Sequence, residues 1–186
     1  MSTGNGVGAM RVLVAYASKY GATKGIAERI AEVLAGRGLE VELRRCDEVH
    51  DASGYDAFVI GSAAYMFSWR KDATKLVRRN AELLATRPVW LFSSGPLGTE
   101  TVDKDGKDVL EGARPKQFGE FERTISPRDL RVFFGAFRLE GLRGVDRMAK
   151  WAPSADLPVG DFRDWTAIEA WARSIADELG ARAETS

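Results

Sequence analysis

Three short stretches hold the residue types that could do chemistry. The first is Ser18-Lys19-Tyr20-Gly21-Ala22-Thr23, a turn of small and hydroxyl-bearing side chains. It lies between an apolar run, residues 12–17, and a run in which Ile26, Ala27, Ile30, Val33 and Leu34 recur at helical spacing until Gly36 and Gly38 stop it. A buried strand that feeds a helix through such a turn offers free backbone amides and a positive dipole end to an anion. A plain corner would use the same residues, so both readings stand at this level. The second stretch, residues 62–69, sets Tyr65, Phe67 and Trp69 beside Ala64 and Met66. Its flat faces could stack on a ring system, or could plug the helix behind them. The third, residues 93–98, contains Ser94, Gly95, Pro96, Leu97 and Gly98; its glycines would let backbone amides approach a ligand, or simply make a turn.

Other chemistries find little support. A phospho-receiver needs acids at the strand ends, whereas the first and third strands end in Ser18 and Gly61. No Gly-Lys-Ser/Thr enters a helix, which removes a nucleotidase loop. One cysteine, Cys46, and one histidine, His50, make neither a metal cluster nor an internal disulfide. Both lie beside the edge strand, away from the three stretches, and His50 reads as a solvated or capping side chain. Lys plus Arg equals Asp plus Glu at 27 each, so no net field draws the chain to nucleic acid. No apolar run reaches about 18 residues, and the start lacks a charged-then-apolar signal. The expectation is a cytoplasmic protein whose membrane contact is at most peripheral.

The elements that must position these stretches follow from periodicity. Residues 1–9 are glycine-rich and aperiodic, which predicts a disordered leader before a single domain over 10–183. Residues 39–43 alternate as an edge strand, and 57–61 and 89–92 read as buried strands. Residues 130–137 make a last apolar strand. Helices are expected around Ala73, Leu76, Val77, Leu83 and Leu84, and from near Pro115 through Phe118, Phe121 and Ile125. Residues 138–151 carry a helical turn or two, and 99–114 has no period. A final helix capped by Asp164 turns Trp165, Ile168, Trp171, Ala172, Ile175 and Leu179 inwards. Strands alternating with helices give an α/β fold, a doubly wound five-stranded parallel sheet in order 2-1-3-4-5. Such sheets bind ligands beyond the carboxyl ends of the strands, where all three stretches meet.

Ser18-Lys19-Tyr20-Gly21-Ala22-Thr23 also resembles the flavodoxin phosphate loop: Ser18, Gly21 and Thr23 match its hydroxyl, glycine and threonine places, and Lys19 and Tyr20 occupy variable ones. Over residues 10–179 the chain is similar to the flavodoxin-like family that includes the bacterial menaquinone-dependent protoporphyrinogen oxidases. The matching segments are SKYGAT, YDAFVIGSAAYMFSW, GAFRL and DFRDWTAIEAWA. In that family the segment after the last strand is rich in basic and aromatic residues; here it keeps Arg143, Arg147, Lys150 and Trp151 and includes Glu140 and Asp146. The resemblance implies an FMN cofactor held by Ser18 to Thr23, by Ala64, Tyr65, Met66 and Trp69, and by Ser94 to Gly98. It also implies an oxidoreductase that oxidises a porphyrinogen-type or other organic substrate with a quinone as acceptor and needs no catalytic side chain of its own. The alternative is an electron carrier serving redox partner proteins. A carrier is expected to have an acidic rim, which zero net charge and Lys19, Arg70 and Lys71 do not favour. A scaffold without FMN is the third possibility.

Overall fold

Residues 12–15 alternate their side chains across a strand, and every one of them is buried. Val12 and Val14 join one core, Leu13 and Ala15 the other. A strand buried on both faces must lie inside a sheet covered by helices on both sides. The computed structural model, which describes residues 9–137 and 158–183, has that arrangement. The main sheet contains β1 (Arg11–Ala17), β2 (Glu40–Arg45), β3 (Ala57–Tyr65), β5 (Val89–Ser94) and β6 (Asp129–Phe133) in spatial order β2-β1-β3-β5-β6, all parallel. In chain order these are the five expected strands in order 2-1-3-4-5. The exposed residues of β2 fit its place at the edge.

Helix α1 (Ala22–Gly36) and the last helix, α6 (Trp165–Ala183), cover one face of the sheet. There Ile26, Ile30, Ile168 and Ile175 pack with Trp90, and Phe92, Phe133 and Trp171 form an aromatic cluster with centroids 5.6–6.2 Å apart. The opposite face carries α2 (Lys71–Arg79), α3 (Ala81–Leu84) and α5 (Phe118–Ile125) over Leu13, Phe58, Ile60 and Leu91. Among the described residues no helix is long and apolar enough to cross a membrane.

Several expectations need correction. Strand β3 does not end at Gly61 but runs on to Tyr65, then turns at Met66-Phe67 and returns as β4 (Ser68–Trp69). The stretch 62–69 is therefore a hairpin and not an open loop. Trp69 faces the core at 4% exposure, its ring 5.4 Å from Phe118 and 5.6 Å from Phe121, so it packs and offers no platform to a ligand. The expected strand 130–137 breaks after Phe133. Gly95 still donates to the Phe133 carbonyl (3.3 Å), but the Gly135 amide then bonds the Pro96 carbonyl (2.8 Å) and not the Gly95 carbonyl that the parallel register would give it. Beyond the break, β7 (Ala136–Phe137) pairs with β8 (Gly160–Asp161) in a separate antiparallel ribbon. The helix through 73–84 divides at Asn80, whose side-chain amide donates back to the Leu76 carbonyl (2.8 Å). Asp164 accepts from the Ala167 amide (3.0 Å), as the cap reading requires, but Trp165 is 37% exposed and lies under the Arg163 guanidinium instead of facing inwards. Of the expected leader 1–9, residues 1–8 lie outside the described residues, as does the basic segment 138–151.

Two predictions follow from this packing. An ideal Cβ on Gly61 would lie 2.0 Å from the Phe92 ring. Gly61→Ala should therefore lose about 1–3 kcal/mol in urea unfolding, and most of that loss should vanish in a Phe92→Leu background. On the surface, Glu169 of α6 bonds Arg29 of α1 (2.6 and 2.9 Å), and that hydrogen bond holds its carboxyl below the usual range. A lowered carboxylate pKa stabilises the fold above the unfolded value of about 4.3 and stops doing so as pH falls through the folded value. Glu169→Gln should lower Tm at neutral pH, and the two melting curves should converge in acid.

Candidate functional site

At the carboxyl edge of the sheet, β1 passes into α1 through residues 18–21. Gly21 sits at φ +91°, a conformation L side chains rarely adopt, and its amide donates to Ser18 Oγ at 3.0 Å. That bond closes the corner and turns the start of α1 towards a cavity. No side chain caps this helix and its first turn has no acidic residue, so an approaching anion meets the dipole end without repulsion. Thr23 is fully buried, and its hydroxyl shares a 2.7 Å hydrogen bond with Ser94 Oγ at the end of β5. The expected phosphate hydroxyl thus also ties α1 to the central sheet.

The cavity at this corner has a volume of about 200 Å³. Ser18, Tyr20, Ala22 and Thr23 form one side, and Ala63, Ala64 and Tyr65 the next. Ser94, Gly95 and Leu97 follow, and Gly135, Ala136 and Phe137 close it. Tyr20 and Tyr65 meet edge to face with centroids 6.4 Å apart. Desolvation, and secondarily Tyr20, hold the Tyr65 phenol above its ordinary pKa, so it remains a neutral donor at physiological pH. Lys19 stands over the Tyr20 ring, with Nζ 5.0 Å from its centroid, and does not line the cavity.

A second, larger cavity of about 490 Å³ adjoins the first, and Ala64 and Gly95 form their common wall. Met66, Phe67 and Pro96 line it opposite Asp103, Asp108, Val109, Gly112 and Ala113. The segment 99–114, which has no sequence period, builds this far wall from short local structure. Asp103 Oδ1 accepts the amides of Asp105 and Lys107, Val102 bridges to Asp108, and Asp108 caps α4 (Val109–Gly112). Met66 and Phe67 both have positive φ, 50° and 59°, which strains non-glycine backbone by about 1–3 kcal/mol each. The Lys116 amide holds the turn at the Phe67 carbonyl (2.9 Å), and Met66 is left 81% exposed at the cavity rim.

Of the expected site residues, Ser18, Tyr20, Ala22, Thr23, Ala64, Tyr65, Ser94, Gly95 and Leu97 meet at the first cavity and Met66 and Pro96 at the second, while Lys19, Gly21, Trp69 and Gly98 line neither. Gly95 also differs from its expected part: its amide is given to the Phe133 carbonyl at 3.3 Å, which leaves little for a ligand. Gly98, at φ +110°, makes the turn. Sequence reading missed the wall of Gly135, Ala136 and Phe137, although GAFRL stood out as a matching segment. Cys46 is buried, and burial, followed by the nearby Asp72 and Asp47, pushes its thiol up, so it is no nucleophile.

The sequence matches the family described as a flavodoxin domain over residues 13–153. Among solved structures it is similar to the rubredoxin oxygen:oxidoreductase of Desulfovibrio gigas (TM-score 0.59, 17% identity over 92% of this chain), of which it spans only 36%. It is also similar to a flavodoxin from the domain Archaea (TM-score 0.58, 16% identity, covering 92% of this chain and 99% of that one). Oxidised flavodoxin 2 from Bacillus cereus gives 0.56 at 21% identity, covering 91% and 99%. At these identities the structures establish the fold alone. No curated protein matches the chain.

Ala22→Asp separates the anion reading from a plain corner. A carboxylate in the first turn should leave α1 as stable or add about 0.3–1 kcal/mol. FMN affinity should fall roughly a hundredfold or more, because unit charges about 4 Å apart near a surface repel by about 4 kcal/mol. Unchanged affinity in a flavin fluorescence titration would move the anion elsewhere.

Proposed function

The chain belongs to the flavodoxin family, and from that premise we propose that it is an FMN-dependent oxidoreductase. Its substrate would be a small reduced organic molecule, porphyrinogen-type or similar, and its acceptor a quinone. The family binds FMN, and the residues here suit that group. The cavity at the start of α1 is free of acid in its first turn, has a buried hydroxyl pair at its base, and is flanked by Tyr20 and Tyr65. FMN, when bound, supplies the redox chemistry, which these side chains cannot perform.

The chain's own residues bind and orient. Ser18 and Gly21 shape the phosphate turn, while the Thr23–Ser94 bond fixes it against β5. Ala64 and Gly95, as small residues in the shared wall, keep the two cavities adjacent. Met66, Phe67, Pro96 and Val109 give the second cavity a largely apolar lining, with Asp103 and Asp108 its charged members. That second cavity is the observation that carries the enzyme reading. At about 490 Å³ it lies within the range of small-molecule sites, and with the first cavity it offers room for a substrate beside the cofactor. The carrier reading draws on the exposed Tyr20, Tyr65, Met66 and Phe67 around the mouths, which a redox partner could cover.

Steady-state turnover decides between them. The FMN-loaded protein, given a porphyrinogen or another reduced substrate and a soluble quinone, should reduce the quinone with no partner protein present. Val109→Trp, which fills the second cavity, should raise KM strongly while FMN affinity stays within about twofold. Electron flow only when a redox protein is added would make the chain a carrier.

A further inference from the structure

The segment DFRDW precedes α6, and neither the fold nor the anion corner accounts for its arginine. Arg163 is almost enclosed, and four contacts fix it. Its Nε donates to Asp161 Oδ1 at 2.7 Å, and its Nη2 pairs with Asp161 Oδ2. The guanidinium carbon stands 4.4 Å from the centroid of the Trp165 ring. Nη1 donates to the Ala22 carbonyl, in the first turn of α1, at 3.3 Å. The same nitrogen occupies the space beside Gly25, where an ideal Cβ would lie only 2.4 Å away.

Those contacts join the two sides of the cavity. Asp161 is paired in register with Ala136 across the β7–β8 ribbon, and Gly160 with Phe137. Ala136 and Phe137 line the cavity opposite Ala22 and Thr23. One guanidinium therefore links β8, the partner of the strand that carries one wall, to the helix turn that forms the other. The planar fork makes this geometry specific, because a lysine could not bond both carboxylate oxygens and the carbonyl together.

We propose that Arg163 is a positioning residue for a phosphate-bearing ligand: it sets the spacing between the first turn of α1 and the β7–β8 ribbon and keeps the Asp161 carboxylate paired beside that turn. This rests on the anion reading of the corner. Gly25 is the position that makes room for it, although glycine inside a helix lowers stability relative to alanine.

The experiment compares FMN with riboflavin, which shares the ring and the ribityl chain but lacks the phosphate. Both are titrated by fluorescence into the full chain and into Arg163→Gln, Arg163→Lys and Gly25→Ala. Arg163→Gln should weaken FMN by about tenfold or more and change riboflavin by less than about twofold, and Arg163→Lys should recover only part of the loss. Gly25→Ala should weaken FMN in the parent, where its methyl displaces the guanidinium. In the Arg163→Gln background the same change should raise Tm and leave FMN affinity where it was. Equal losses for FMN and riboflavin, or no loss for either, would reduce Arg163 to a structural brace and overturn the proposal. A folded parent chain that binds riboflavin and FMN equally, or neither, would overturn the anion reading and the proposal with it.

Discussion

An α-helix leaves the amides of its first turn without partners inside the helix, and here that deficit is placed at the carboxyl edge of a parallel sheet. The rest of the site depends on that placement. Strand β1 is buried on both faces, so α1 has only one course back along the sheet, and its start must face the crevice between β1 and β3. Gly21 supplies the left-handed residue that the corner needs, and Ser18 satisfies its amide. No acid stands in the first turn of the helix to compete for the same dipole.

Around this corner the buried polar groups serve the architecture first. Thr23 and Ser94 bond each other. Ser62 accepts the Arg70 amide through its hydroxyl and the Ser93 hydroxyl through its carbonyl. These bonds fix the ends of β3 and β5 and the start of α2 without using a charge. The remaining wall is largely apolar, formed by alanines, Leu97, Phe137 and the two tyrosines. A site of this kind selects a ligand by one anionic end and a flat apolar body, which is the chemistry of a flavin nucleotide. The adjoining cavity, bounded by the strained Met66-Phe67 turn and the small 99–114 wall, adds a separate compartment beside it.

Much of this was legible in the sequence where burial and local signals agreed. The runs of β1, β3 and β5 are apolar because both faces are covered, and the edge strand alternates because one side is not. Asp164 and the Phe118, Phe121, Ile125 spacing read correctly for the same reason. The errors fall where tertiary contacts decide. Trp69 looks like a platform because it follows two aromatics, but antiparallel pairing with Ala64 puts its ring among Phe118 and Phe121, which are distant in sequence. Residues 134–137 are apolar enough to continue a strand, and only the fold shows the Gly135 amide leaving register for the Pro96 carbonyl and Ala136 pairing with Asp161. The order in 99–114 comes from aspartates bonding nearby amides, a signal without hydrophobic period. Arg163 is one arginine among many in the sequence, and only the folded chain places it beside Ala22.

The most direct measurement is a crystal structure of the protein grown with FMN. The phosphate should lie within hydrogen-bonding distance of the amides that open α1, with the rings extending along Tyr65 towards Ala64 and Gly95. An empty corner in a crystal that holds FMN elsewhere, or a corner filled by the Tyr20 ring, would contradict the assignment.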